Sequence, residues 1–321
     1  MNSTRKLWVG LAALLMASFA VLLWVGSETY RQAPPMPEQV VTTDGKVVYT
    51  RQDIETGRQV WQSIGGQQLG SIWGHGGYVA PDWGADWLHR EAEAILDLWA
   101  AREHGVDSYK ALDAPTQAAY ATRVQALIRP NTWDAATGTI TIDADRAAAM
   151  EKVAAHYVDL FGNDPATAEL REAYAMRNNT VPDAEHRRLM TGFFWWAAWS
   201  SITERPGQTI TYTANWPHDE LVGNTPPSNL LIWSVFSVLF LIAGIGLLGW
   251  HYAVNHGDEM VPVLPKRDPL ADIKVTPSMR ATAKYFWVVL ALFLVQILLG
   301  AITAHYQVEG QEAYGFALSE V

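Results

Sequence analysis

The chain has 321 residues, a formal net charge of −10 and no cysteine. The acidic balance gives no support to nucleic-acid binding, and the missing cysteine excludes disulfide staples. Three long apolar runs make it a membrane protein with room for one sizeable extramembrane domain.

The first run, Leu7 to Gly26, is 20 residues without a charge. At about 1.5 Å per residue it can cross a hydrocarbon core of about 30 Å. Arg5 and Lys6 before it could also be the n-region of a signal peptide. The run is longer than an ordinary h-region, however, and lacks a clear small-residue cleavage site, so it reads as an uncleaved anchor. Ala33-Pro-Pro-Met-Pro follows as a stiff linker. Val40 to Thr50 predicts a β-hairpin around Asp44-Gly45, a type I′ pair. A short helix follows from about Asp53 to Ser63, and then a glycine-rich stretch to Asp82.

Asp86 is expected to cap a helix running to His104, and Asp113 another with Pro115 in its first turn. Thr139 to Ile142 reads as a strand. Asp143 starts a helix ending at Phe161-Gly162. Asp164-Pro165 opens one to about Arg177, and Asp183 opens the last helix of the domain. That last helix contains Leu189 to Ile202, LMTGFFWWAAWSSI. At 14 residues this stretch is too short to span a bilayer. It is either a buried core helix, the reading its length favours, or an aromatic face turned to a membrane or partner. Two more apolar runs follow, Leu230 to Trp250 and Phe286 to Ala304.

Basic residues orient the chain. Arg5 and Lys6 precede the first run, and Lys266, Arg267, Lys274, Arg280 and Lys284 lie between the second and third. Both segments are therefore expected in the cytoplasm. The divisions read as residues 1–6 cytoplasmic, 7–26 membrane, 27–229 outer domain, 230–252 membrane, 253–284 cytoplasmic, 285–306 membrane and 307–321 an outer tail.

The nine histidines show no H-x-x-x-H or H-E-x-x-H spacing. His89, His104, His156 and His186 are expected on solvated helix faces. His251 and His256 suit the C-terminus of a helix. His75, in the glycine-rich turn, is expected to bond to backbone or to face a cofactor. His305 and Glu309 stand four residues apart at the end of the third run, so a continuing helix would place both on one face. Such a pair could accept protons from a bound ligand, or could be an ordinary polar helix end.

Gly57, Val60 and Trp61, then Gly74, Gly76, Tyr78, Ala80, Pro81 and Asp82, together with TERPG at 203–207 and NWP at 215–217, carry a family resemblance. The chain resembles the quinol-dependent, single-chain nitric oxide reductases of the haem-copper oxidase superfamily. In the cytochrome subunit of their two-subunit relatives the same flanks enclose a C-x-x-C-H haem motif. Counted from Trp61, its cysteines would fall at Gly66 and Leu69 and its histidine at Gly70. The resemblance thus implies a mainly α membrane protein: three transmembrane helices and a haem-less, cytochrome c-like periplasmic domain in the bacterial inner membrane.

The resemblance also implies a quinol site at His305 and Glu309, although position 313 is Ala where an aromatic residue is expected. It implies that backbone carbonyls of Gly76 and Tyr78 help to hold calcium. Haem b, haem b3 and non-haem iron are expected on later helices, so this chain alone binds no cofactor and is expected to be inactive. It reads as a truncated N-terminal portion whose partners are quinol, lipid and the remaining haem-bearing core, with room for a homodimer. A second reading is a complete non-enzymatic subunit docked on a separate core. A third, a periplasmic sensor, is disfavoured by the short cytoplasmic loop.

Overall fold

The computed structural model describes residues 3–256 and 273–309. It divides into two units, Met1–Thr225 and Pro226–Val321. The first unit opens with helix α1, Ser3–Arg31. Strands β1 (Gln39–Thr42) and β2 (Val47–Thr50) follow, then helix α2 (Arg51–Ser63). Helices α3 (Trp83–His104) and α4 (Ala114–Ile128) come next. Strands β3 (Trp133–Asp134) and β4 (Thr139–Ile142) lead into α5 (Ala144–Leu160). The unit closes with the short α6 (Ala168–Ala173) and α7 (Ala184–Ile202).

The hairpin forms, but not with the expected turn. A type I′ turn needs positive φ at both central residues. Among the hairpin residues only Gly45 takes it, at +86°, and its N–H bonds Thr42 O at 2.9 Å. The loop is a tight turn closed by one left-handed glycine, and the register shifts between Val40 and Val41. The sheet has the order β2-β1-β4-β3, with β1 and β4 parallel.

Side-chain caps start α2, α3, α5 and α7, whereas Asp113 holds the N-cap position of α4 without a side-chain bond to the helix backbone. Thr50 and Asp53 form a reciprocal capping box at α2. Helix α3 begins earlier than expected: Asp82, not Asp86, is its cap and accepts the Ala85 N–H at 2.9 Å. Asp86 lies in the first turn, where it accepts from Arg90 at 2.8 Å and Tyr157 at 2.6 Å. The helix expected to reach Arg177 stops at Ala173, because Ala175 turns to φ +52°.

Helix α7 settles the question of the aromatic run. Every residue from Met190 to Ile202 is buried. Helices α2, α3 and α5 all pack on it, so it is the central core helix. An all-round apolar sequence is what such a position requires.

The second unit contributes α8 (Ser228–His256) and α9 (Pro277–Glu309). With α1, they contain three 24-residue segments long and apolar enough to cross a membrane: Trp8–Arg31, Ile232–Asn255 and Pro277–Gly300. Helix α9 starts at Pro277, ahead of the expected membrane boundary at 285. Thr276 caps it, accepting the Met279 N–H on Oγ1 at 3.3 Å, and Pro277 suits the first helical position.

Candidate functional site

The glycine-rich stretch lies between α2 and α3 and closes on itself. Ser71 and Asp82 form a bridge, and Trp83 N–H bonds Ser71 O at 2.9 Å. Residues 71–82 are therefore a compact Ω-type loop. Asp82 holds it from within. Its Oδ2 accepts the Ser71 hydroxyl at 2.7 Å and the Gly74 N–H at 2.6 Å, while Oδ1 caps α3.

The three positions at which the resemblance places haem ligands are sealed by packing. A Cβ at Gly66 would lie 2.1 Å from Cδ2 of Trp61. Gly70 sits at φ +133°, and a Cβ there would meet Pro81 O at 2.4 Å and Trp83 Nε1 at 2.7 Å. Leu69 is buried in the core, and its carbonyl accepts the Trp83 indole N–H at 3.0 Å.

Trp83 is the centre of this packing. It is fully buried and stacks on Phe194 of α7 at 5.8 Å. It meets Phe161, Tyr157, Tyr174 and Trp61 edge-on. A thioether-linked haem needs two thiols, an imidazole and an open face. The chain offers none of these here, so a c-type haem does not fit.

The outer side of the loop is different. Tyr78 is fully exposed and Val79 is 45% exposed. Among the described residues the carbonyls of Gly76 and Tyr78 accept no hydrogen bond. Two free carbonyls on one turn suit a hard cation, with further ligands needed from elsewhere. Tyr78 is not the packed residue that an ordinary closed turn would bring.

NWP braces the loop. Trp216 Nε1 donates to Gly74 O at 2.9 Å, and the His75 ring lies edge-on to Trp216 at 4.7 Å. His75 thus rests on an aromatic ring rather than on backbone. Trp73 packs on Trp196 at 5.3 Å, and Trp196 Nε1 donates to Pro35 O at 3.0 Å. Arg205 of TERPG bonds Gln32 and Tyr212 O. The linker leaving α1 is therefore tied to the same corner as the loop. Sequence reasoning missed Trp83, Trp73, Trp196 and Trp216 as site-builders. Their only signal was that each stands in or beside a motif already singled out.

Of the histidines expected in solvent, His89, His104 and His186 are exposed. His89 is paired with Asp219, Nδ1 to Oδ2 at 3.0 Å. His156 is half-buried, with Nε2 out of solvent and without a partner. Burial, then the charge of Arg90, holds its imidazole below the ordinary histidine range.

His305 and Glu309 stand one turn apart on the backbone of α9. Their side chains lie outside the described residues, as do Lys266, Arg267 and position 313. Among the described residues no group of three His, Cys, Asp or Glu could hold a metal ion.

Residues 37–218 match the family model for the cytochrome c-like domain of NorB, the nitric oxide reductase polypeptide of that name. No curated protein matches the chain.

Proposed function

The chain belongs to the NorB family of nitric oxide reductases, and on that premise we propose that it serves the quinol-dependent kind, as a haem-free outer cap joined to part of the quinol site. The observation that carries this reading is the sealed motif at Gly66, Leu69 and Gly70. A domain that cannot hold haem c cannot relay electrons from a soluble cytochrome, so the donor must reach the membrane core by another route. A membrane-dissolved quinol is such a donor.

In this reading the reaction is 2 NO + 2 electrons + 2 protons to N2O and H2O. Haem b, haem b3 and non-haem iron on further core helices supply its redox chemistry. The chain's own contribution is proton handling and enclosure. His305 and Glu309, one helical turn apart, hydrogen-bond the quinol hydroxyls and accept the two protons released on oxidation. Gly76 and Tyr78 would lend two carbonyls to a bound calcium, which would add fixed positive charge at the loop. The braced loop, tied to the linker that leaves α1, lies over the core and shields it from water. The outer domain then faces the periplasm of the inner membrane, in accord with the basic residues Arg5, Lys6, Lys274, Arg280 and Lys284.

The test uses the chain assembled with its haem-bearing core in nanodiscs. A quinol should drive nitric oxide consumption, and reduced cytochrome c should not. His305→Ala and Glu309→Gln should each lower quinol-driven turnover about 100-fold, while an artificial reductant that bypasses the site still supports it. Turnover with cytochrome c would overturn the quinol reading. Unchanged quinol turnover in both variants would overturn the site assignment alone.

A further inference from the structure

We propose that His89 is a pH-dependent latch on the segment that leads into the second membrane helix. Residues 219–224 form a tight turn: Asp219 N–H bonds Asn224 O at 3.0 Å, and Asn224 N–H bonds Asp219 O at 2.9 Å. Only Thr225, Pro226 and Pro227 separate it from Ser228, where α8 begins. Asp219 organises the turn with one carboxylate oxygen, Oδ1, which accepts the Leu221 N–H at 2.9 Å. Its other oxygen, Oδ2, meets Nδ1 of His89 on α3. The Asp219 side chain is only 15% exposed, so the contact is partly shielded from water.

Three further holds act on this turn. Arg129 donates to Gly223 O at 3.0 Å and to Asn224 Oδ1 at 3.1 Å. Gln125 donates to Leu221 O at 3.0 Å, and Asn224 Nδ2 donates to Ser201 O at 2.8 Å. None of these groups changes charge between about pH 5 and 9. His218 also faces the turn, with Nδ1 3.1 Å from Asn224 O. That contact is to a neutral carbonyl rather than to a charged partner.

The groups facing His89 are Asp219, Glu93 one turn along α3 with Oε1 3.5 Å from Nε2, and Lys110. Lys110 is drawn to Glu93 at 2.6 Å and partly offsets its charge. The hydrogen bond and then the charge of Asp219 raise the imidazole above its ordinary range, against the opposing effect of burial. Burial alone would raise Asp219, but the bond from His89 and the other favourable contacts outweigh it and hold the carboxyl below its usual range. The signs agree. The latch is closed where His89 is protonated and Asp219 ionised, and it loosens as pH rises through the raised histidine value.

Hydrogen exchange of the intact protein in nanodiscs, corrected for the intrinsic pH dependence, tests the latch. Peptides covering 219–224 should lose protection about two- to fivefold between about pH 6 and 8.5, the range of a partly exposed ion pair. The core helix α7 serves as internal reference. His89→Gln should abolish the step, His89→Lys should keep the turn protected at both pH values, and His218→Gln should leave the step in place. A flat profile in the parent protein, or a step that survives His89→Gln, would overturn the proposal.

Discussion

The indole of Trp61 occupies the space where a side chain at position 66 would begin, with Cδ2 2.1 Å from the Cβ that glycine lacks. Reinstating C-x-x-C-H as Gly66→Cys, Leu69→Cys and Gly70→His should therefore not restore haem attachment. Each glycine replacement forces packed indoles or backbone to move, at about 1–3 kcal/mol. For a domain of this size each kcal/mol lowers the melting temperature by about 2–4 °C. The check is a haem stain beside a thermal melt: covalent haem in the triple variant at unchanged stability would refute the packing account.

Glu91 and Arg146 form a buried charge pair in the domain core, 2.6 Å apart with side chains 2% and 5% exposed. Trp87 Nε1 donates to the second Glu91 oxygen at 2.7 Å. Arg146→Met strands a carboxylate and should cost about 3–5 kcal/mol. Adding Glu91→Leu should recover most of that loss, because replacing both charges removes the desolvation penalty. Denaturant midpoints of the single and double variants decide it, and additive losses would contradict the pairing.

Tyr49 is buried, and burial pushes its hydroxyl up to about 12. A raised folded value means that its stability contribution is complete below the ordinary tyrosine range near about 10 and is lost as pH rises through the folded value. Tyr49→Phe removes this alkaline sensitivity and also the 3.1 Å bond to Thr191. The variant should be about 1 kcal/mol less stable near neutral pH, with a shallower decline above about pH 10. Parallel declines in the two proteins would show that other groups set the alkaline limit.

Asp82 ties the loop to α3 through both carboxylate oxygens. Asp82→Ala should cost about 2 kcal/mol or more, since a cap and two loop bonds go together. It should also make residues 75–79 sensitive to limited proteolysis. Asp82→Asn keeps one oxygen and should retain the cap while losing part of the loop's order. Proteolysis of Asp82→Asn as fast as that of Asp82→Ala would mean that loop tethering, not capping, is the main role.

Local signals in the sequence reached some of this structure and not the rest. The buried role of α7 was legible in the length of its aromatic run, and most helix starts were legible in their aspartate caps. The misplaced start of α3 came from two aspartates, Asp82 and Asp86, competing one turn apart. Packing of the fully buried Trp83 favours the earlier one. The turn at Gly45 looked like a two-residue hairpin because Asp-Gly fits both turn types. The His89–Asp219 contact spans 130 positions, beyond any local pattern. The glycine register pointed to Gly66, Leu69 and Gly70, but Trp83, which packs against Leu69 and Gly70, stands outside that stretch.

The parallel pairing of β1 with β4 sets an order for biogenesis. Gln39 pairs with Thr139 and Thr42 with Ile142, while β1 begins shortly after α1 ends at Arg31. A nascent chain must hold β1 unpaired on that side until the stretch up to Ile142 has been synthesised. Completion of the sheet is thus coupled to synthesis of that stretch rather than to formation of α1. An arrest of synthesis before Thr139 leaves an exposed strand edge for chaperones or proteases to engage.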